Sequence, residues 1–451
     1  MEGLDEAVYA IGAGERSASF DRFAAAIDPE WIAAALAQTG TASVRRRKLP
    51  AADVVWLVIG MGLFRDRPIA QIVDDLGLVL PGADGARRRV TNGAVVRARD
   101  KLGAPPLALL FAHTAATWTT DALATDRWQD LAVFGLDGTT LRVPDSAAND
   151  AAFGRPGVSR GGSAGYPLLR LVVLMGLRQH LLTAAAIGPY TTSEPALAQP
   201  LWTELPARSL VILDRAFAAY PLFHQLGDPT QHRHWLIRVR TRGAWRWTAE
   251  QRLGRNDVLV ELHASKRSRH SHPHLPRTLR ARALEVRRRG FRPVILLTSL
   301  LDPHAYPASE LARLYHERWE LEVGFDELKT HTLERVETLR SQTPARVEQE
   351  VWGLLLAYNL VRRALSRAAP GARVPPHRLS YRHAVLVLRT FWLTTPLTSP
   401  TMLPRRLAQL FDDLRLVVLP PRRPRRYPRA VKLKFSAYPR KRPRLRPHGA
   451  K

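Results

Sequence analysis

There is no cysteine among the 451 residues. Disulfides and thiolate metal sites are thereby excluded, and the composition fits a reducing cytoplasm. Acid is scarce too: 40 Asp and Glu stand against 68 Lys and Arg, a formal net charge of +28. A balance this basic calls for a polyanionic partner, with nucleic acid ahead of an anionic membrane surface. Long apolar runs are missing as well. The longest, Val54–Phe64, is too short to span a bilayer and lacks a signal-peptide layout. No repeat at solenoid periods is visible. The remainder is ordinary for a folded chain, with 45% hydrophobic residues, and the length implies two to four domains.

One stretch organises the reading: Leu314–Lys329, LYHERWELEVGFDELK. At about 100° per residue, Tyr315, Arg318, Glu322 and Lys329 fall within roughly 60° of one another on an α-helix. Leu314, Leu321, Phe325 and Leu328 form the neighbouring stripe, the one that would face a core. A carboxylate, two cations and a phenol thus share a face beside a buried seam. Glu317, Glu320 and Glu327 read as solvated charges, the ordinary fate of charge on a helix face.

Upstream, two aspartates each close an apolar run. FGLDGTTLRVPD puts Asp137 after Leu131–Leu136, and LVILDRAFAAY puts Asp214 after Leu210–Leu213. A short apolar run ended by a turn signal reads as a buried strand. A lone Asp in that place is usually a turn or cap residue. Two of them followed by this helix favour catalysis. Three carboxylates without soft ligands suit a hard cation such as Mg²⁺ or Mn²⁺.

The spacing Y-x2-R-x3-E-x6-K resembles the signature of transposases of the insertion-element-4 family, whose members carry upstream aspartates in contexts like LDGT and LDRAF. Thr41–Gly62 is similar to that family's amino-terminal domain. The resemblance implies a mixed α/β fold. Its ribonuclease-H-like core carries a β-rich insertion and is flanked by an all-helical amino-terminal domain and carboxy-terminal helices. It further implies that Asp137, Asp214 and Glu322 are catalytic and hold two Mg²⁺ ions, with Mn²⁺ able to substitute. Asp326, one turn on, is the rival for the third position. Arg318 and Lys329 would grip phosphates, and Tyr315 would stack or hydrogen-bond near the cut.

The implied activity is cut-and-paste transposition: both strands cut at the element's ends, through a hairpin, and the 3′ ends joined to target DNA. The partners would be double-stranded DNA and a second copy of the chain, with no membrane, in a nucleoid-associated bacterial cytoplasm. Part of the family accepts a flipped base on a tryptophan just before a strand reading LLLTS. Here Val294 stands at that place, and Phe291 is the expected substitute, with Trp245 and Tyr315 as alternatives. A non-catalytic relative that binds the ends or represses is the competing function. A basic RNA-packaging protein would account for the charge but not for the acids.

The expected domains are 1–127 (helical, DNA-binding), 128–240 and 293–342 (the two parts of the core), 241–292 (a small β-subdomain), 343–419 (helical) and 420–451 (a basic disordered arm without acids). Arg45, Arg46, Arg47 and Lys48 precede an apolar helix starting past Pro50. Ile69–Leu76 and Thr91–Leu102 could form a helix-turn-helix with Arg97, Arg99 and Lys101 outward, or belong to a plain helical bundle. His263, His270, His272 and His274 sit among Ser, Pro and Arg, which reads as a basic loop along phosphates rather than a zinc site.

Overall fold

The computed structural model describes residues 27–42, 49–81, 87–124, 126–157, 164–239, 245–287, 291–333, 338–394 and 400–421. Arg45–Lys48 and nearly all of the basic arm lie outside them. The fold is mixed α/β, built on one nine-stranded sheet. Its strands are β3 (Ala132–Arg142), β4 (Leu168–Gly176), β5 (Leu182–Pro189), β6 (Ser209–Leu213), β7 (Arg233–Val239), β8 (Arg246–Gly254), β9 (Asp257–His263), β10 (Thr278–Val286) and β11 (Val294–Thr298); β1 (Val79–Pro81) and β2 (Arg87–Arg89) form a separate ribbon. The order across the large sheet is β5-β4-β3-β6-β7-β11-β10-β9-β8. β3, β6 and β7 run parallel, and every other pairing is antiparallel. The first five strands in this order have the ribonuclease-H-like arrangement.

The inserted strands β8, β9 and β10 do not make a sheet of their own. β11 pairs with β7, and the insertion continues the same sheet outward from β11. The ladder explains this: β11 offers a free edge on the side away from β7, and unpaired backbone groups there are costly unless another strand takes them.

Alternation along the strands makes two cores. Phe134 and Leu136 of β3 with Val211 and Leu213 of β6 face the smaller core, beneath the helix Tyr220–Leu226. Val133 and Leu141 of β3 with Leu210 and Ile212 of β6 face the larger one. That larger core also takes in the amino-terminal helix Ala51–Leu63, the long helix Pro344–Ala372 and the helix Tyr381–Thr394. The helices and the sheet are therefore joined by continuous apolar packing.

Between the helices Ile69–Asp75 and Asn92–Leu102 stands the β1/β2 ribbon, not a simple turn, so the pair is no compact helix-turn-helix. Arg99 corrects the outward reading. It is 4% exposed, and its guanidinium donates to Gln349 Oε1 (2.8 Å) and Ser341 Oγ (3.0 Å) beside the long helix. A second buried cation, Arg65, meets Glu350 at 2.6 Å. Arg97 and Lys101 stay exposed.

The contact between the helices Ala51–Leu63 and Pro344–Ala372 depends on glycine. A Cβ on Gly353 of the long helix would stand 2.6 Å from the Val58 carbonyl oxygen, and one on Gly62 would stand 2.9 Å from the Ala357 Cβ. Gly353→Ala must therefore push the two helices apart, and overpacking of this kind costs about 1–3 kcal/mol. A lowered midpoint in chemical denaturation is expected. Gly157→Ala, where nothing lies within 4 Å of the added carbon, is the matched control. Equal midpoints for the two variants would refute the close crossing.

Candidate active site

The two aspartates are brought together by strand register. β3 pairs with β6 in parallel as far as Gly135 opposite Ile212. Two residues further along each chain come Asp137 and Asp214, on the side that faces the larger core. β6 stops at Leu213, while β3 runs on to Arg142 against β4. Asp137 is thus within a strand, not at its end. It becomes partly exposed where its parallel neighbour gives out. Each carboxylate also holds its own backbone: Gly138 N–H donates to Asp137 Oδ1 (2.8 Å) and Ala216 N–H to Asp214 Oδ1 (2.7 Å).

The third acid arrives on a helix pressed closely onto the sheet. A Cβ at Gly135 would lie 2.7 Å from Leu321 Cδ1, and one at Gly324 would lie 2.7 Å from Met175 Sδ. Lacking side chains, both allow Trp319–Asp326 to settle over β3 and β4. Arg318, at the start of that helix, meets Glu322 Oε1 at 2.7 Å and Asp137 Oδ2 at 3.6 Å. One guanidinium therefore spans the strand acid and the helix acid. Asp326, by contrast, is exposed and accepts from Thr330 Oγ1 (2.6 Å).

Electrostatics follow from this crowding. Burial, reinforced by the negative charge of Asp214 and Glu194, pushes Asp137 up to about 6 against the pull of the Gly138 amide and Arg318. Burial likewise drives the Tyr315 phenol up to about 12, although Arg318 and Arg238 favour its anion. The Tyr315 phenol therefore keeps its proton at neutral pH and is available as a hydrogen-bond donor. Arg238, on β7, is a cation of the site that sequence reasoning passed over. Its signal was available, since it alternates with the buried Ile237 and Val239 in an otherwise apolar strand.

Leu314–Lys329 is not one α-helix. Ala308–Tyr315 is α-helical, His316–Arg318 is a 3₁₀ turn, Trp319–Asp326 is α-helical again, and Glu327–Thr332 is a π-helix. The constant 100° step thus fails before Lys329, which sits half-buried on the π-turn. Phe291 is half-buried just ahead of β11.

The remaining helix acids are corrected as well. Glu317 pairs with Arg178 (3.2 Å), and Glu320 meets His180 Nε2 (3.0 Å). Glu327 is buried, ion-paired with Arg362, and accepts from the Tyr358 hydroxyl (2.9 Å). His180 Nδ1 lies 3.3 Å from Glu327 Oε2 and 2.8 Å from Arg362 Nη2.

An all-carboxylate donor set fits a hard divalent cation. Among the described residues, however, no three acidic or histidine side chains converge closely enough to close around one. Arg318 fills the gap between Asp137 and Glu322.

Residues 128–360 match the family model for a transposase DDE domain, and residues 17–112 match that for the insertion element 4 transposase N-terminal region. The fold and matched domain define a DDE-type DNA transposase, a class that works with divalent metal ions. Transposase InsG for insertion sequence element IS4, from Escherichia coli K12, is 38% identical over 415 residues, 92% of each chain. Putative transposase InsZ of the same organism is 34% identical over 215 residues, covering 48% of this chain and 70% of that one. The chain belongs to the insertion element 4 family of transposases. A cryo-EM piggyBac transposase synaptic complex with hairpin DNA overlaps it at a TM-score of 0.41 and 12% identity, over 82% of this chain and 76% of that one. That overlap is too loose to carry an argument.

The buried Glu327 gives the helix that carries Glu322 an acid-sensitive anchor. Burial alone would raise its pKa, but Arg362 and His180 hold it down to about 2 from 4.5. Because the folded value is depressed, its stabilisation is fully present above about pH 4.5 and lost as pH falls toward about 2. The denaturation midpoint of Glu327→Gln should lie below that of the parent at neutral pH, with the gap closing across that window. A gap independent of pH would remove the charged anchor.

Proposed function

We propose that this transposase works by cut and paste: it binds the ends of its insertion element, cuts both strands and joins the 3′ ends to target DNA. The observation that carries the reading is the reach of Arg318 to both Asp137 and Glu322, with Asp214 alongside in register. Asp137, Asp214 and Glu322 would hold two Mg²⁺ ions, with Mn²⁺ as a substitute. Bound ions of this kind supply charge neutralisation on the attacking and leaving oxygens of an in-line displacement. Glu322 is the better third ligand than Asp326, which is engaged with Thr330 instead.

The chain's own groups position the DNA. Arg318 exchanges a carboxylate for a scissile-strand phosphate, which its planar fork fits equally well. The Tyr315 phenol, kept protonated, donates a hydrogen bond near the cut. Lys329, Arg97, Lys101 and the Arg45–Lys48 stretch contribute phosphate contacts further along the duplex. Two ends must be held at once, so the complex is a homodimer on DNA. It works in the cytoplasm, at the nucleoid; among the described residues no helix is long and apolar enough to cross a membrane.

Asp137→Ala, Asp214→Ala and Glu322→Ala should each abolish Mg²⁺-dependent nicking of a supercoiled plasmid carrying the element's ends. Gel-shift binding to those ends should persist or tighten, because negative charge near phosphate is removed. Nicking by Glu322→Ala together with loss in Asp326→Ala would reassign the third ligand.

The second strand is cut through a hairpin, and a turn that tight needs one base out of the stack. Phe291 would receive it, since stacking on an aromatic face is worth about 1–3 kcal/mol. Phe291→Ala should nick the first strand normally and accumulate fewer hairpins on denaturing gels. Parental hairpin levels would leave Phe291 without that role.

A further inference from the structure

The inserted strands bury an ion pair on the face of the sheet that carries the acids. Arg282 of β10 lies two residues before Leu284, which packs in the larger core, so alternation puts both on the side of Asp137 and Asp214. The Arg282 guanidinium is 0% exposed and grips Asp257 of β9 at two points, Nε to Oδ1 (2.8 Å) and Nη2 to Oδ2 (2.6 Å). Its third nitrogen reaches out of the insertion: Nη1 donates to the carbonyl oxygens of Tyr306 (2.7 Å) and Asp302 (3.3 Å).

Those carbonyls belong to the turn ahead of the helix Ala308–Tyr315. The turn is closed on itself: Tyr306 N–H donates to the Asp302 carbonyl oxygen (3.1 Å), and Asp302 Oδ1 accepts from the His304 and Ala305 amides. Pro307 then takes the N-cap position and makes no side-chain cap bond. Leu311 and Leu314 seat the helix in the larger core. Apolar burial is non-directional, so it selects the face turned down but not the position of the helix along its axis. The bonds from Arg282 are directional, and they meet the chain just before the helix begins. A cation beside a helix N-terminus is disfavoured by the helix dipole. Asp257 cancels that charge, so what Arg282 contributes is donor geometry.

The chain beyond Tyr315 is held by other contacts. The 3₁₀ turn His316–Arg318 interrupts the α-helix. Trp319–Asp326, beyond it, is pressed onto β3 and β4 and is followed at once by the buried pair of Glu327 with Arg362. Each helical piece thus has a buried ion pair at one end. We propose that Arg282, from within the insertion, is a positioning residue for Tyr315: its bonds to Asp302 and Tyr306 set where the phenol stands relative to the scissile strand, while Glu322 is placed independently. The inference rests on the role given to Tyr315 above and adds the inserted strands to what aligns it.

The test uses the full-length paired variant Arg282→Met/Asp257→Leu. Exchanging a buried ion pair for apolar residues of similar size is often neutral or stabilising, so its denaturation midpoint should match the parent's. Should the midpoint fall, Arg282→Lys, which keeps the charge against Asp257 without the planar fork, takes its place. Nicking of the supercoiled plasmid should drop at least about tenfold, since a small misplacement of an aligned group can cost about a hundredfold. Gel-shift binding to the element's ends should not change. Made on top of Tyr315→Phe, the same exchange should cost at most about threefold more, because residues acting through one group are not additive. Amide hydrogen exchange should quicken in Ala308–Tyr315 and stay parental in Trp319–Asp326. Parental nicking by the paired variant overturns the proposal, and so does an undiminished loss in the Tyr315→Phe background. Parental nicking by Tyr315→Phe alone ends the role of Tyr315 and the proposal with it, whereas a defect there beside parental nicking in the paired variant ends the proposal alone. If the parent itself does not nick, the cut-and-paste reading fails separately and hydrogen exchange decides: equal rates in parent and paired variant overturn the proposal.

Discussion

The ion pair of Glu327 with Arg362 is the contact on which the geometry of the site depends. A carboxylate buried this deeply is tolerable only with a charge partner and its lone pairs satisfied. Arg362, Tyr358 and His180 meet both needs. Arg362 and Tyr358 lie one turn apart on the long helix, and His180 belongs to the turn joining β4 to β5. Two separate elements, the long helix and the β4–β5 turn, thereby converge on one side chain just past the helix that carries Glu322. With that end pinned, and with Gly135 and Gly324 permitting close approach, the height of Glu322 above β3 is set by packing rather than by local preference. A buried pair of this kind contributes specificity of geometry more dependably than net stability.

The acids illustrate the complementary problem. Burial, with the negative charge of Asp214 and Glu194 added to it, disfavours the Asp137 carboxylate. Arg318 relieves it from the helix side, and the Gly138 amide from the strand. Asp137 and Glu322 share one compensating cation, Arg318. Assembly of the site and docking of the helix are thus one event, since the helix that brings the third acid also brings the cation.

Much of this was readable in the chain. β6 follows from the apolar run Leu210–Leu213, and the amino-terminal helix from the apolar run past Pro50; both lie where those patterns put them. The candidate residues stand out in the chain because they are typed at fixed spacings. What escaped notice has a common cause: partners distant in sequence. Arg99 and Glu327 look like solvated charges in their own helices, and only Gln349, Ser341, Arg362 and His180 reveal them as buried. The π-turn at Glu327 leaves no local signature, so the face containing Lys329 was drawn on the wrong period. Asp137 was placed at a strand end because turn-like residues follow it, yet pairing with β4 carries the strand onward. The inserted strands were visible as strands, but the edge they would join was not.

That edge has a consequence for how such a protein can diversify. The chain leaves the core at Val239 and returns at Ile295, and these two residues are paired partners on adjacent strands. Whatever lies between them begins and ends at nearly the same point, so its length is uncoupled from the spacing of the three acids. The core is in effect a socket with two neighbouring terminals. Strands, loops or charge can be gained or lost in the inserted segment while the strand register that sets Asp137 beside Asp214 stays untouched. Surfaces for handling different DNA can then be exchanged on a catalytic frame that does not have to be rebuilt each time.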